Sequence, residues 1–166
     1  MGTNFQKGSS LVEVMVALFV LAIGLLGILA MQSKSMQFNQ SAHVYSQAVY
    51  LANDIAERIR GNPAAVASYS DSVTATPTAE PINCESSTCT SQQVVSWDKW
   101  VWSQNVQDFL PSGDVSISPV AFADPAGSRN FLHIQVSFDD SRSEGKAAEP
   151  GGDYDGRKSY ALMVEI

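Results

Sequence analysis

The apolar stretch from Leu11 to Met31 carries one charged side chain, Glu13. About 20 apolar residues of helix cross a bilayer core. This stretch is long enough, contains no Pro, and has Gly24 and Gly27 as its only glycines, which membrane helices tolerate. A carboxylate inside such a helix costs roughly 2.5–3.5 kcal/mol on insertion scales, so an intramembrane ionisable residue is read as functional by default. Glu13 therefore calls for a cationic partner, and the chemistry it offers is charge pairing rather than catalysis.

The second candidate is the pair Cys84 and Cys89, in the run Cys84-Glu85-Ser86-Ser87-Thr88-Cys89. A zinc site needs closer spacing and further Cys or His ligands. The two histidines, His43 and His133, are far from the pair in sequence. A disulfide closing a small loop is the better reading and implies an oxidising compartment. Two free thiols are the alternative, because spacing alone does not supply the geometry of a bridge.

Nothing else in the sequence has the pattern of a reactive site. There is no nucleophile–base arrangement, phosphate loop or metal cluster, so no enzymatic activity, metal or cofactor is expected. Asp153-Tyr154-Asp155-Gly156 is a fragment of a calcium loop without the remaining ligands or the distal Glu, and reads as a turn. His133 lies mid-strand with no ligand pattern around it. Trp97, Trp100 and Trp102 invite a sugar-binding reading, but Trp is usually largely buried, which favours packing.

The net charge is −7 and charged residues make up 16% of the 166-residue chain, below the usual level of about 25%. The few basic residues are scattered. Nucleic acid is not an expected partner, because phosphate contacts need clustered Lys and Arg.

The elements that position these residues are legible from periodicity. After Met31 the pattern turns amphipathic: Val44, Ala48, Leu51, Ile55 and Ile59 mark one helical face. Gly61-Asn62-Pro63 stops the helix. A helix from Ser9 to Arg60 would be about 80 Å long. Ala64 to Gln92 reads as a long loop. Trp97 to Leu110 reads as a short helix with Ser96 as N-cap and Asp98 in its first turn, its apolar side holding Trp97, Val101 or Trp100, and Phe109. Strands are expected at Val115–Val120, Phe131–Phe138 and Tyr160–Ile166, joined as an antiparallel meander. The amphipathic half of the first helix would cover its apolar face.

Lys7-Gly8-Ser9-Ser10-Leu11-Val12-Glu13-Val14-Met15-Val16-Ala17-Leu18 resembles the class III signal of type IV prepilins. The resemblance implies cleavage between Gly8 and Ser9 by prepilin peptidase, and N-methylation of Ser9. Glu13 becomes the fifth mature residue. The family's first mature residue is usually Phe, and Ser9 departs from that. Cleavage creates an α-amino group, mostly cationic at neutral pH, and the resemblance implies that Glu13 pairs with such an amine on a neighbouring subunit.

The segment Ala48–Pro63, with Asp54, Glu57, Arg58 and Arg60 spaced for i,i+3 and i,i+4 pairs, resembles the PilV-type minor pilins, also called type IV pilus modification proteins. The fold class implied is α+β and pilin-like, with a long N-terminal helix packed on a small antiparallel sheet. The expected organisation is a leader at 1–8, a transmembrane part at 9–31, an amphipathic part at 32–62 and a globular domain at 63–166. Expected partners are other minor and major pilins, prepilin peptidase, the inner-membrane assembly platform and membrane lipid. The expected location is the bacterial inner membrane, single-pass with the globular domain in the periplasm, followed by incorporation into the pilus. A minor pseudopilin of a type II secretion system and a pilus-tip adhesive subunit are the rival readings.

Overall fold

The computed structural model describes residues 10–74, 79–124, 127–141 and 156–165. Gly8, Ser9 and the Asp153–Asp155 part of the calcium-like fragment lie outside the described residues. The chain divides into two compact units, Met1–Asn39 and Gln40–Ile166.

The first unit holds the beginning of helix α1, Leu11–Gly61. Every described residue from Ser10 to Met36 is exposed. The apolar residues follow one another on all sides of the helix instead of forming a stripe, so no single partner face accounts for them. α1 is long and apolar enough in this part to cross a membrane.

The second unit begins within α1. Its buried positions are Ala48, Leu51, Ala52, Ile55, Ala56 and Ile59, an i,i+3/i+4 stripe as the periodicity predicts. Alanine at three of these six positions lets the helix lie close to what it covers. Behind it stands a four-stranded antiparallel sheet in the order β1-β2-β3-β4. The strands are β1 Asp71–Thr74, β2 Asp114–Asp124, β3 Gly127–Asp139 and β4 Arg157–Glu165.

The register stacks apolar side chains in rows on the inner face. Val73, Val115, Val136 and Tyr160 form one row; Ile117, Ile134 and Leu162 form the next. Together with Trp102 and Val106 they make one hydrophobic cluster with the α1 stripe. Full burial of one such side chain contributes about 1.5–3 kcal/mol. The alternate residues point away: His133 stands between Ser118 and Met163 in the register, half-buried on the outer face.

Four features differ from the sequence-based expectation. The segment after Pro63 is not a plain loop: Pro63–Tyr69 forms a kinked 3₁₀ helix and Asp71–Thr74 adds the fourth strand. Helix α2 runs from Ser91 to Phe109, with Thr90 as N-cap. Thr90 and Gln93 form a capping box, with Gln93 N donating to Thr90 Oγ1 at 3.3 Å and Thr90 N donating to Gln93 Oε1 at 2.8 Å. Ser96 is inside the helix instead, its hydroxyl donating to Gln92 O. Phe109 is exposed, and the buried side of α2 is carried by Val95, Trp97, Trp102 and Val106.

The turn after α2 is tightly packed. Gly113 is buried, and a Cβ there would lie 2.6 Å from Leu110 Cβ, so only Gly fits. β1 covers β2 only from Asp114 to Ile117. Beyond that point β2 has no neighbour on this side among the described residues, and Pro119 stands there. Proline has no N–H to offer an incoming strand, which blunts an open edge.

Candidate functional site

The start of α1 is organised by Ser10. Its carbonyl accepts from Glu13 N at 2.9 Å and Val14 N at 3.3 Å, and its hydroxyl accepts from Glu13 N at 3.3 Å. Ser10 is therefore the N-cap and Glu13 the third helical residue. Ser10-Leu11-Val12-Glu13 carries the S-x-x-E spacing of a capping box, a signal that the hydrophobic run obscures in the sequence. At this position the unpaired first-turn N–H groups favour a carboxylate. Glu13 is exposed, at a shallow notch shared with Val14, Ala17, Leu18 and Leu21.

The second unit contains a polar cluster that the sequence showed only in part. Arg58 Nε donates to Asp54 Oδ2 at 2.9 Å, one turn back on α1. Arg58 Nη1 donates to Asp98 Oδ1 of α2 at 3.0 Å. Asp98 Oδ2 accepts from the Tyr69 hydroxyl at 2.7 Å. Tyr69 accepts from Asn62 Nδ2 at 3.2 Å, and the same amide donates to Ser91 O at 2.9 Å. The end of α1, the 3₁₀ helix and the start of α2 thus meet on one set of hydrogen bonds. Arg60 and Glu57 form the other expected pair, but both are exposed, and such pairs contribute little.

The electrostatics follow from burial. Desolvation works against the Arg58 charge, but hydrogen bonds and attraction from Asp98 and Asp54 outweigh it and raise its pKa above the ordinary guanidinium value. Tyr69 is fully buried. Burial pushes its phenol well above the ordinary value; the Asn62 hydrogen bond opposes this and the one to Asp98 adds to it. Tyr69 consequently stays protonated and donates to a buried carboxylate, which lowers the cost of burying it.

Cys84 and Cys89 are joined in a disulfide with Cα atoms 5.6 Å apart, inside the normal range. The ring is braced by Asn83, whose side-chain oxygen accepts from Glu85 N and Ser86 N. Cys89 immediately precedes the Thr90 cap, so the bridge fixes the approach to α2.

Two of the three tryptophans are interior: Trp97 is 6% exposed and Trp102 is 0% exposed. Trp100 is half-buried and stacks on Trp97 with centroids 5.1 Å apart. The cluster is thus mainly packing, and it offers no row of open aromatic faces. Among the described residues no group of three or more His, Cys, Asp or Glu is placed to hold a metal ion. One further link was not legible in sequence. Asp140 at the end of β3 is buried and accepts from Lys158 of β4 and from the Ser41 hydroxyl of α1.

An exposed apolar helix start, an amphipathic continuation and an antiparallel meander give an α+β, pilin-like fold. Two family models match the chain. Residues 30–100 match Tt1218-like, described as "Type IV pilin Tt1218", and residues 3–29 match the prokaryotic N-terminal methylation motif. The chain is thus similar to type IV pilins over residues 30–100 and to prepilin-type N-termini over residues 3–29, and with the fold these adjacent matches support a type IV pilin with a prepilin signal. The signal and the apolar helix also indicate membrane anchoring. No curated protein and no solved structure matches the chain.

Proposed function

We propose that this chain is a minor pilin of the PilV type. Prepilin peptidase cuts it between Gly8 and Ser9, Ser9 is N-methylated, and the mature chain rests in the inner membrane through residues 9–31 with its globular domain in the periplasm. It then joins other minor and major pilins on the inner-membrane assembly platform and contributes to pilus initiation. No catalytic step is assigned to it.

The observation that carries this reading is the placement of Glu13: an acidic residue at the head of an exposed apolar helix, within the matched methylation motif and five residues into the mature chain. The α-amine of a neighbouring subunit is the counter-charge that cleavage creates. Pairing offsets the desolvation of both groups and fixes axial register, and removing one partner of a buried pair costs about 3–5 kcal/mol. Glu13→Ala is expected to leave cleavage intact and to lower incorporation into sheared pili. Unchanged incorporation would contradict the pairing.

A minor pseudopilin of a type II secretion system is the second reading, since such subunits share the signal and the long helix. The Arg58-Ile59-Arg60-Gly61-Asn62-Pro63 segment favours the pilus. Deleting the chain's gene should reduce surface pili and leave protein secretion unchanged; the opposite pair of results supports the pseudopilin.

A further inference from the structure

Lys34 is the next charged residue along α1 after Glu13. At the rise of an α-helix the two lie roughly six turns, about 32 Å, apart. The hydrocarbon core of a bilayer is about 30 Å thick. The two charges therefore bracket one core thickness, with an apolar segment between them.

The Lys34 side chain takes an informative direction. Long helical side chains ordinarily lean toward the N-terminus, which would carry this ammonium back over the apolar segment. Instead Nζ donates to Gln37 Oε1 at 3.3 Å and lies 5.1 Å from the centroid of the Phe38 ring. Both contacts are on the C-terminal side, away from the apolar segment. An apolar stem with its charged head turned off the hydrocarbon is the geometry of a snorkelling lysine. The Phe38 ring gives the ammonium an aromatic face to rest on beyond the apolar segment.

We propose that Lys34, with Phe38 beside it, is a depth stop that seats at the headgroup phosphates of the bilayer and so holds Glu13 at the opposite headgroup level. The partner is the phospholipid surface. The proposal rests on reading α1 as a membrane anchor and goes further by fixing its depth, moving the hydrocarbon span from residues 9–31 to the segment between Glu13 and Lys34. Before assembly, Glu13 is then hydrated and supported by the first turn of α1. It is spared the hydrocarbon interior until the subunit leaves the bilayer for a filament.

The test uses the full chain with the Cys84–Cys89 disulfide intact, in phosphatidylethanolamine–phosphatidylglycerol vesicles opened to a water-soluble maleimide. Single thiols are introduced by Met36→Cys, Ile23→Cys and Val12→Cys. The thiols at positions 36 and 12 should label readily and the one at position 23 should be protected. Adding Lys34→Leu to Met36→Cys should slow labelling several-fold as the boundary moves outward by about one turn. Lys34→Arg should preserve it, because arginine also snorkels. Equal labelling of position 36 with Lys or Leu at 34, or a protected position 12, would overturn the depth stop. A reactive position 23 would overturn the membrane anchor itself.

Discussion

Arg58 of α1 and Asp98 of α2 meet at 3.0 Å although 40 residues separate them. Asp98 is nearly enclosed, with 4% of its side chain exposed, whereas Arg58 keeps 35%. The pair closes the polar cluster that joins the end of the long helix to the globular fold.

Removing the arginine should therefore cost more than an ordinary surface pair. Arg58→Met leaves the Asp98 carboxylate with Tyr69 as its remaining neutral donor in the cluster. A loss of about 1–3 kcal/mol is expected, moderated by the solvent at Arg58. Asp98→Asn in the Arg58→Met background should recover part of that loss. Denaturant titration of the four chains in detergent measures the coupling, and a coupling near zero would contradict the cluster.

Tyr69 sets an alkaline limit. Its folded pKa is raised above the ordinary phenol value, so the folded chain keeps this proton after the unfolded chain has lost it. The stability it contributes is fully present below about pH 10 and falls as pH rises toward the folded value, by about 1.4 kcal/mol per pH unit. Tyr69→Phe should be less stable at neutral pH but lose less on going from about pH 9 to pH 11. Parallel slopes for the two chains would refute the assignment.

The disulfide should act locally. Its ring closes a short loop, and the chain-entropy relation gives about 2 kcal/mol for such a ring. Reduction should lower stability by about that amount and speed hydrogen exchange at Gln93 and Val94, in the first turn of α2. Faster exchange spread evenly over β2 and β3 would place the effect elsewhere.

Pro119 should protect an edge. Pro119→Thr restores an N–H on the part of β2 that β1 leaves uncovered. Self-association in detergent is expected to rise, as read by sedimentation velocity, because open edges template pairing. An unchanged sedimentation profile would mean that something other than proline guards this edge.

The parts of the fold set by local periodicity were legible in sequence. The stripe at Ala48, Leu51, Ile55 and Ile59 and the alternation of Leu132, Ile134, Val136 and Phe138 reappear as the two faces of one core. The start of α2 was not, because its first turn, Ser91-Gln92-Gln93, is polar and the capping box of Thr90 and Gln93 precedes any apolar signal. β1 has four residues, too few to show alternation. In the candidate site, the pairs Asp54–Arg58 and Glu57–Arg60 followed from helical spacing. Asp98 and Tyr69 did not, since tertiary folding alone brings them to Arg58.

The central claim, a pilin processed at Gly8, is tested most directly by expressing the chain with and without prepilin peptidase and sequencing the N-terminus of each product. With the peptidase, the chain should begin at Ser9; without it, the leader should remain. A chain that keeps its leader when the peptidase is present would contradict the account.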